Sequence, residues 1–322
     1  MRMKELQDAY CKGIIDKKLY WTIMRENYTH VLPQLQEILK NHEECAGISI
    51  TAEGVILEKK TGVKLLFDFS QAMCRAEIDL VNPVDPEHFD MLMINRLIDE
   101  NGCKVALDIG ANNGMFSLEI INEHPDMELH LFEPVPTTFE NLLKTLSINN
   151  ADTDRLHPNC LGMSDKKGTF DFYLPGESEA ASLRPVTDEF YCKRADEFGK
   201  YTGSLELEKV KCQVSTVDDY VTEKSLDRID LIKIDVEGNE KFVLEGAEKT
   251  LGKFHPIVYS ELLRKHAAKF GYHPNDVIAF MAEHGYRCFT VRGEALEEVP
   301  IIDEETAETN FVFIYSKENQ PE

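Results

Sequence analysis

From residue 103 onward the chain alternates between short apolar runs and amphipathic stretches, and this rhythm narrows the possible folds more than any other feature. CKVALDI reads as a strand and NGMFSLEIINEH as a helix; MELHLFE and TTFENLLKTLSINN repeat the pair. LHPNCLGM is a third strand candidate, IDLIKID a fourth followed by the helix NEKFVLEGAEKTL, and PIVYSELL a fifth. PNDVIAFMAEHG reads as a helix ahead of two closing strands, YRCFTV and TNFVFIYS. Strands separated by helices predict a largely parallel sheet covered on both faces. GTFDFYLPG has alternating apolar positions and reads as an added hairpin. Residues 175–205, rich in Glu, Ser and Asp, read as a surface excursion.

The first third of the chain has a different texture. Leu6, Tyr10, Ile14 and Ile15, then Val31, Leu32, Leu35, Ile38 and Leu39, recur at helical spacing and predict two or three helices over residues 3–44. Residues 47–70 switch to three short β-rich runs separated by A-E-G and K-K-T-G turns. The two prolines of VNPVDPEHFD mark a boundary, and a helix from about Glu87 to Asp99 follows. We therefore expect an N-terminal extension over 1–85, serving as a lid or a homodimer contact, and an α/β domain over 86–322.

A net charge of −23 repels phosphate backbones and anionic lipid, which disfavours nucleic acid or a membrane as the main partner. The eight cysteines are scattered, with no C-x-x-C pair and no close Cys/His cluster, which argues against a structural zinc site or a disulfide framework. The N-terminus has no uninterrupted apolar segment of the signal-peptide kind, and no stretch approaches a membrane span. A soluble, cytoplasmic protein is the expectation.

In open α/β sheets a ligand sits beyond the carboxyl ends of the strands. ALDIGANNG, residues 106–114, breaks there into Gly110 and Gly114, a turn that lets backbone approach a ligand closely. The pattern is G-x-x-x-G after an acid, without G-x-G-x-x-G. A pyrophosphate would be repelled by Asp108, whereas the ammonium and sulfonium of S-adenosylmethionine would be attracted. The second strand ends in Glu133, suited to accept hydrogen bonds from a ribose diol. IDLIKIDVEGNE crowds Asp235, Glu237 and Glu240 at the end of the fourth strand, just after Lys233. These acids also suit a helix N-terminus as caps. Glu261 ends the fifth strand, and His266 follows close behind.

VALDIGANNGMFSLEI, LFEPVPTTFENL, STVDDYV and IDLIKIDVEGNEKFVLEGAEKTL together resemble the FkbM family of S-adenosylmethionine-dependent methyltransferases. The likeness runs from about residue 103 to 262. It implies a class I methyltransferase (Rossmann-like) fold of seven mostly parallel strands, the last antiparallel, with helices on both faces. It also implies that the methionine end of the cofactor lies on Asp108, Gly110, Ala111 and Asn112, with Asn113 and Gly114 completing the turn. The ribose would lie on Glu133 beside Pro134, and the adenine by Gly162, Met163, Ser164 and Asp165. Asp235 and Glu237 would flank the methyl group.

A hydroxyl acceptor is a weak nucleophile, so a base should assist; the candidates are Asp235, Glu237, Glu261 and His266, in that order. A divalent ion on Asp235, Glu237 and Glu261 is the alternative, but no ligand spacing demands it and no metal is assigned. FkbM relatives methylate hydroxyls of surface-glycan sugars and of polyketide-type products. The polar excursion, with Phe190, Tyr191, Phe198 and Tyr201 able to stack on a ring, favours a sugar or glycan-related acceptor. The rivals are a nicotinamide oxidoreductase, which lacks its glycine motif here, and a catalytically silent binding module.

Overall fold

The computed structural model describes residues 3–52, 54–67, 75–82, 88–151, 154–174, 182–184 and 208–316. Two helices, Met3–Cys11 and Lys17–Lys40, open the chain, the second capped by the Asp16 side chain accepting from the Leu19 N–H. Strands β1 (Cys45–Ile50), β2 (Val55–Lys59) and β3 (Lys64–Leu66) form an antiparallel meander, as the three β-rich runs predict. The helices Arg75–Val81 and His88–Asn101 lead into the sheet.

The main sheet contains β4 (Val105–Ile109), β5 (Glu128–Phe132), β6 (Leu156–Asn159), β10 (Leu231–Ile234), β11 (Ile257–Glu261), β12 (Tyr286–Arg292), β13 (Ala295–Glu298) and β14 (Asn310–Tyr315). Its order is β13-β12-β14-β11-β10-β4-β5-β6. From β6 to β11 every pairing is parallel. β14 inserts antiparallel between β11 and β12, and β13 adds a hairpin at the edge. This is the seven-stranded class I methyltransferase arrangement with one extra edge strand. Strand order reverses at β4, which has β10 on one side and β5 on the other. Connections leaving those strands diverge and open a crevice at their carboxyl ends.

Both faces of the sheet are covered, so its strands are apolar on alternate sides. Ala106, Leu129, Leu131 and Leu231 face one buried cluster, which also holds Leu57, Val63 and Leu65 of the meander. Leu107, Ile109, Phe132, Ile232 and Ile234 face the other. The meander thus shares the main core. Lys59 is buried and reaches Glu119 at 3.3 Å, tying the meander to the helix Met115–Glu123.

Three differences from the sequence reading have local causes. GTFDFYL is a strand, β8 (Gly168–Leu174), but its partner is β9 (Glu208–Ser215), a segment after the polar excursion to which the sequence reading assigns no strand. β9 also pairs with the two-residue β7 (Gly162–Met163), which splits LHPNCLGM into two strands in different sheets. The single helix expected over NEKFVLEGAEKTL is broken into Glu240–Glu245 and Glu248–Phe254. At the break, a Cβ on Gly246 would lie 2.2 Å from the Ser164 carbonyl oxygen, so only glycine permits that approach. The excursion aromatics Phe190, Tyr191, Phe198 and Tyr201 lie outside the described residues.

Candidate functional site

The loop after β4 is shaped by close backbone approaches. Gly110 has φ +81°, and a Cβ there would lie 1.8 Å from the Asp235 carbonyl oxygen. The N–H groups of Gly110 and Ala111 both donate to the Phe132 carbonyl, at 3.0 and 2.9 Å, which fixes the turn to β5. Asn112 follows in the left-handed region at φ +48°, and its N–H points to Glu133 Oε2 at 3.2 Å. Asn113 Oδ1 accepts from the Met115 N–H, and Gly114, at φ +83°, starts the helix Met115–Glu123.

Glu133 closes β5. Its second oxygen accepts from the Val135 N–H at 2.9 Å, so two backbone donors aim the carboxylate. Burial pushes its pKa up to about 7, against the pull of those hydrogen bonds and of Lys233.

Beneath the loop lies a buried ion cluster. Lys233 Nζ donates to the Gly110 carbonyl at 2.6 Å and lies 3.3 Å from Asp108 and 3.6 Å from Asp235. Asp108 is wholly buried and accepts from the Ser117 hydroxyl at 2.7 Å. The sequence reading set the Asp108 carboxylate against a cationic ligand. The structure turns it inward, where Lys233 and Ser117 occupy it, and it does not line the cleft. Lys233 was noticed in the sequence only as a neighbour of the acids, yet it anchors the whole floor.

The loop after β10 supplies the opposite wall. The Asp235 side chain lies on the cleft floor, 45% exposed. Partial desolvation by the cleft walls raises its pKa, opposed by Lys233 and reinforced by Glu237 and Asp108. Glu237 has φ +56° and sits 3.0 Å from His266 Nδ1. Burial would raise its pKa, but the contact with His266 and the charges of Lys269 and Lys265 prevail, and it is lowered. Gly238 has φ +107°, and a Cβ there would be 2.6 Å from the His266 carbonyl oxygen. Glu240 lies below, accepting from the N–H groups of Gly238 at 2.9 Å and Val236 at 3.3 Å.

The cleft between these walls is lined by Gly110, Asn112, Glu133, Pro134, Gly162, Met163, Asp235, Glu237 and Glu261 among the expected residues. Ala111, Asn113, Gly114, Ser164 and Asp165 do not line it, and neither does His266, which contacts Glu237. Phe132, Phe172, Leu183, Val236 and Asn239 also line it and were not anticipated. Phe172 could have been found from the alternation in GTFDFYL; Leu183 carries no signal. Asn239 ties the two walls, donating through Nδ2 to the Met163 carbonyl at 3.0 Å. The lining thus contains four carboxylates and, among the described residues, no basic side chain. An apolar end, Phe132, Pro134, Met163, Phe172 and Leu183, adjoins the acidic one. Asp235, Glu237 and Glu261 do not converge as a shared ion site among the described residues.

The methyltransferase FkbM domain matches residues 108–288. Methyltransferase sdnD of Sordaria araneosa is 31% identical over 156 residues, 44% of this chain and 60% of its own length. The 31-O-demethyl-FK506 methyltransferase FkbM of Streptomyces tacrolimicus is 30% identical over 45% of this chain and 59% of its own. The 2-O-methyltransferase NoeI of Sinorhizobium fredii (strain NBRC 101917 / NGR234) is 28% identical, over 49% and 62%. The chain therefore spans about three-fifths of the length of these relatives. The crystal structure of methyltransferase FkbM from Methylobacillus flagellatus KT is 13% identical, with a TM-score of 0.39 over 90% of this chain and 60% of that one. The domain match alone covers more than half of the 322 residues, and the chain belongs to the FkbM methyltransferase family.

Proposed function

We propose that the chain is an S-adenosylmethionine-dependent O-methyltransferase acting on a hydroxyl of a sugar or glycan-related small molecule. The observation that carries this reading is the cleft lining, four carboxylates and no basic side chain among the described residues. Such a lining suits a ligand with a sulfonium and an ammonium and opposes a dinucleotide pyrophosphate. When bound, the cofactor supplies a methyl group already activated by its sulfonium leaving group. Glu133 would hold the ribose, the backbone of Gly110 and Asn112 the methionine end, and Phe132, Pro134 and Met163 the adenine.

Alignment of an acceptor oxygen in such a cleft is worth on the order of 10⁵–10⁸ M in effective molarity. Asp235 is the base we favour, because its raised pKa brings it nearer the operating pH, and a base contributes about 10²–10⁴-fold. Glu237, kept ionised by His266, offsets positive charge; His266 is a positioning residue. Two relatives carry O-methyl transfer in their names, one at a 2-O position and one on a demethyl-FK506. A polyketide-type acceptor is the second reading, favoured by the apolar wall of Phe172 and Leu183.

Calorimetry with S-adenosylhomocysteine tests the cofactor assignment. Wild type is expected to bind and Glu133→Ala to lose at least tenfold in affinity. Wild-type affinity in the variant would remove the ribose role, and binding of NADH in place of the nucleoside would overturn the reading. Tritium transfer from labelled cofactor to panels of glycans and polyketide-type alcohols separates the two acceptors.

A further inference from the structure

A second cluster of ligand-type side chains lies away from the cleft, where β5 begins. β5 and β6 pair in parallel with His130 directly opposite His157, and Glu128 is two residues before His130 on the same face. The two imidazole rings stack with centroids 4.6 Å apart. Glu128 Oε1 lies 3.2 Å from His130 Nε2 and 3.0 Å from His157 Nε2, and the three atoms lie within 4.8 Å of one another. Both Nε2 atoms are buried, yet neither makes an aligned hydrogen bond.

We propose that Glu128, His130 and His157 form a binding site for a divalent first-row transition metal ion, with zinc the best fit, at the outer edge of the sheet. The hydrogen-bonding of His130 supports this. Its Nδ1 lies 2.8 Å from the Tyr220 hydroxyl, which in turn lies 3.4 Å from Asn159 Oδ1. With its hydrogen on Nδ1, His130 donates to Tyr220, Tyr220 donates to Asn159, and the Nε2 lone pair faces Glu128. Metal-bound histidines are oriented by such an outer hydrogen bond. A nitrogen lone pair and a carboxylate oxygen at this separation repel each other until a proton or a metal ion lies between them.

The distances fit a small ion. Donors about 2.0–2.1 Å from a tetrahedral zinc stand about 3.3 Å apart, close to the Glu–His separations. Two imidazoles and one carboxylate suit zinc and its neighbours in the series better than calcium or magnesium, which prefer all-oxygen sites. His157 and Glu128 have 37% and 44% of their side chains exposed, leaving an entry path and room for a water ligand. The ion would clamp β6, the edge strand, onto β5.

The full chain, stripped with a chelator and dialysed, is titrated calorimetrically with zinc chloride. One equivalent should bind, and His157→Ala and Glu128→Gln should each weaken binding at least tenfold while S-adenosylhomocysteine affinity is unchanged. No zinc binding by wild type, or wild-type zinc affinity in both variants, overturns the site. Should the variants fail to fold, the cobalt(II) form of wild type decides: a spectrum of nitrogen and oxygen ligands supports the site, and a thiolate charge-transfer band overturns it by moving the ion to a cysteine.

Discussion

The loops after β4 and β10 each fold over a buried carboxylate, but they hold it by different means. Asp108 meets the Lys233 ammonium at 3.3 Å and a serine hydroxyl, and the same lysine donates to the Gly110 carbonyl. Glu240 is met by two backbone N–H groups and by the Tyr272 phenol, whose oxygen is 3.0 Å from both Glu240 Oε2 and the Gly238 carbonyl. Burial raises Glu240 to about pH 7, only partly countered by those hydrogen bonds. One loop therefore rests on a buried ion pair and the other on a carboxyl that holds its proton near neutrality. The first cannot tolerate loss of either partner. The second tolerates a neutral replacement and responds to pH.

The largest expected effect comes from breaking the pair. Lys233→Met strands the Asp108 charge in a site with no water access and should cost about 3–5 kcal/mol in denaturant unfolding. The double variant with Asp108→Asn should recover part of that loss, because the stranded charge is gone. A single-variant cost below about 1 kcal/mol would break the comparison, since Asp108 would then not depend on its cation. A smaller loss is expected from Glu240→Ala. It leaves the N–H groups of Val236 and Gly238 without their acceptor, a cost of about 1–3 kcal/mol. The glycine turn should loosen with it, seen as faster amide exchange at Gly238.

These two loops also mark how far the sequence could be read. Their acids and glycines stand next to the strands that carry them, so ALDIGANNG and KIDVEG locate the rim from local pattern alone. Which way each acid points is a matter of strand register. Asp108 precedes the turn and faces Ser117 and Lys233, so it sits under the cleft, while Asp235 sits on its floor. β9 is hidden for a similar reason: Val210, Cys212 and Val214 pack toward Phe172, but Lys209, Lys211 and Gln213, which alternate with them, resemble the polar segment upstream. The Glu128, His130 and His157 cluster is still less legible, because it exists only through the pairing of β5 with β6. The break at Gly246 depends on the distant Ser164 carbonyl, which no local pattern reveals.

The smallest effect is the sharpest test of the contrast. Gln at 240 copies the protonated acid: its oxygen accepts from Gly238 and Val236, and its amide donates to Tyr272, whose hydrogen passes to the Gly238 carbonyl. Below about pH 4.5, where Glu240 keeps its proton in the folded and the unfolded chain alike, Glu240→Gln should lie within about 0.5 kcal/mol of wild type, because both side chains are neutral and make the same hydrogen bonds. The sign of the pH dependence follows from the raised pKa. The folded state keeps the Glu240 proton up to about 7, whereas the unfolded chain releases it near the ordinary value of 4.5. Between those values wild-type stability falls as pH rises, and below the lower one the contribution is fully present. Glu133 contributes the same sign in both proteins, so the difference between them isolates Glu240. Unfolding free energies measured from pH 5 to 8 should therefore diverge, with the variant gaining on wild type until about pH 7 and the gap constant above it. Parallel curves would mean that Glu240 ionises normally, and the two loops would then share one electrostatic design.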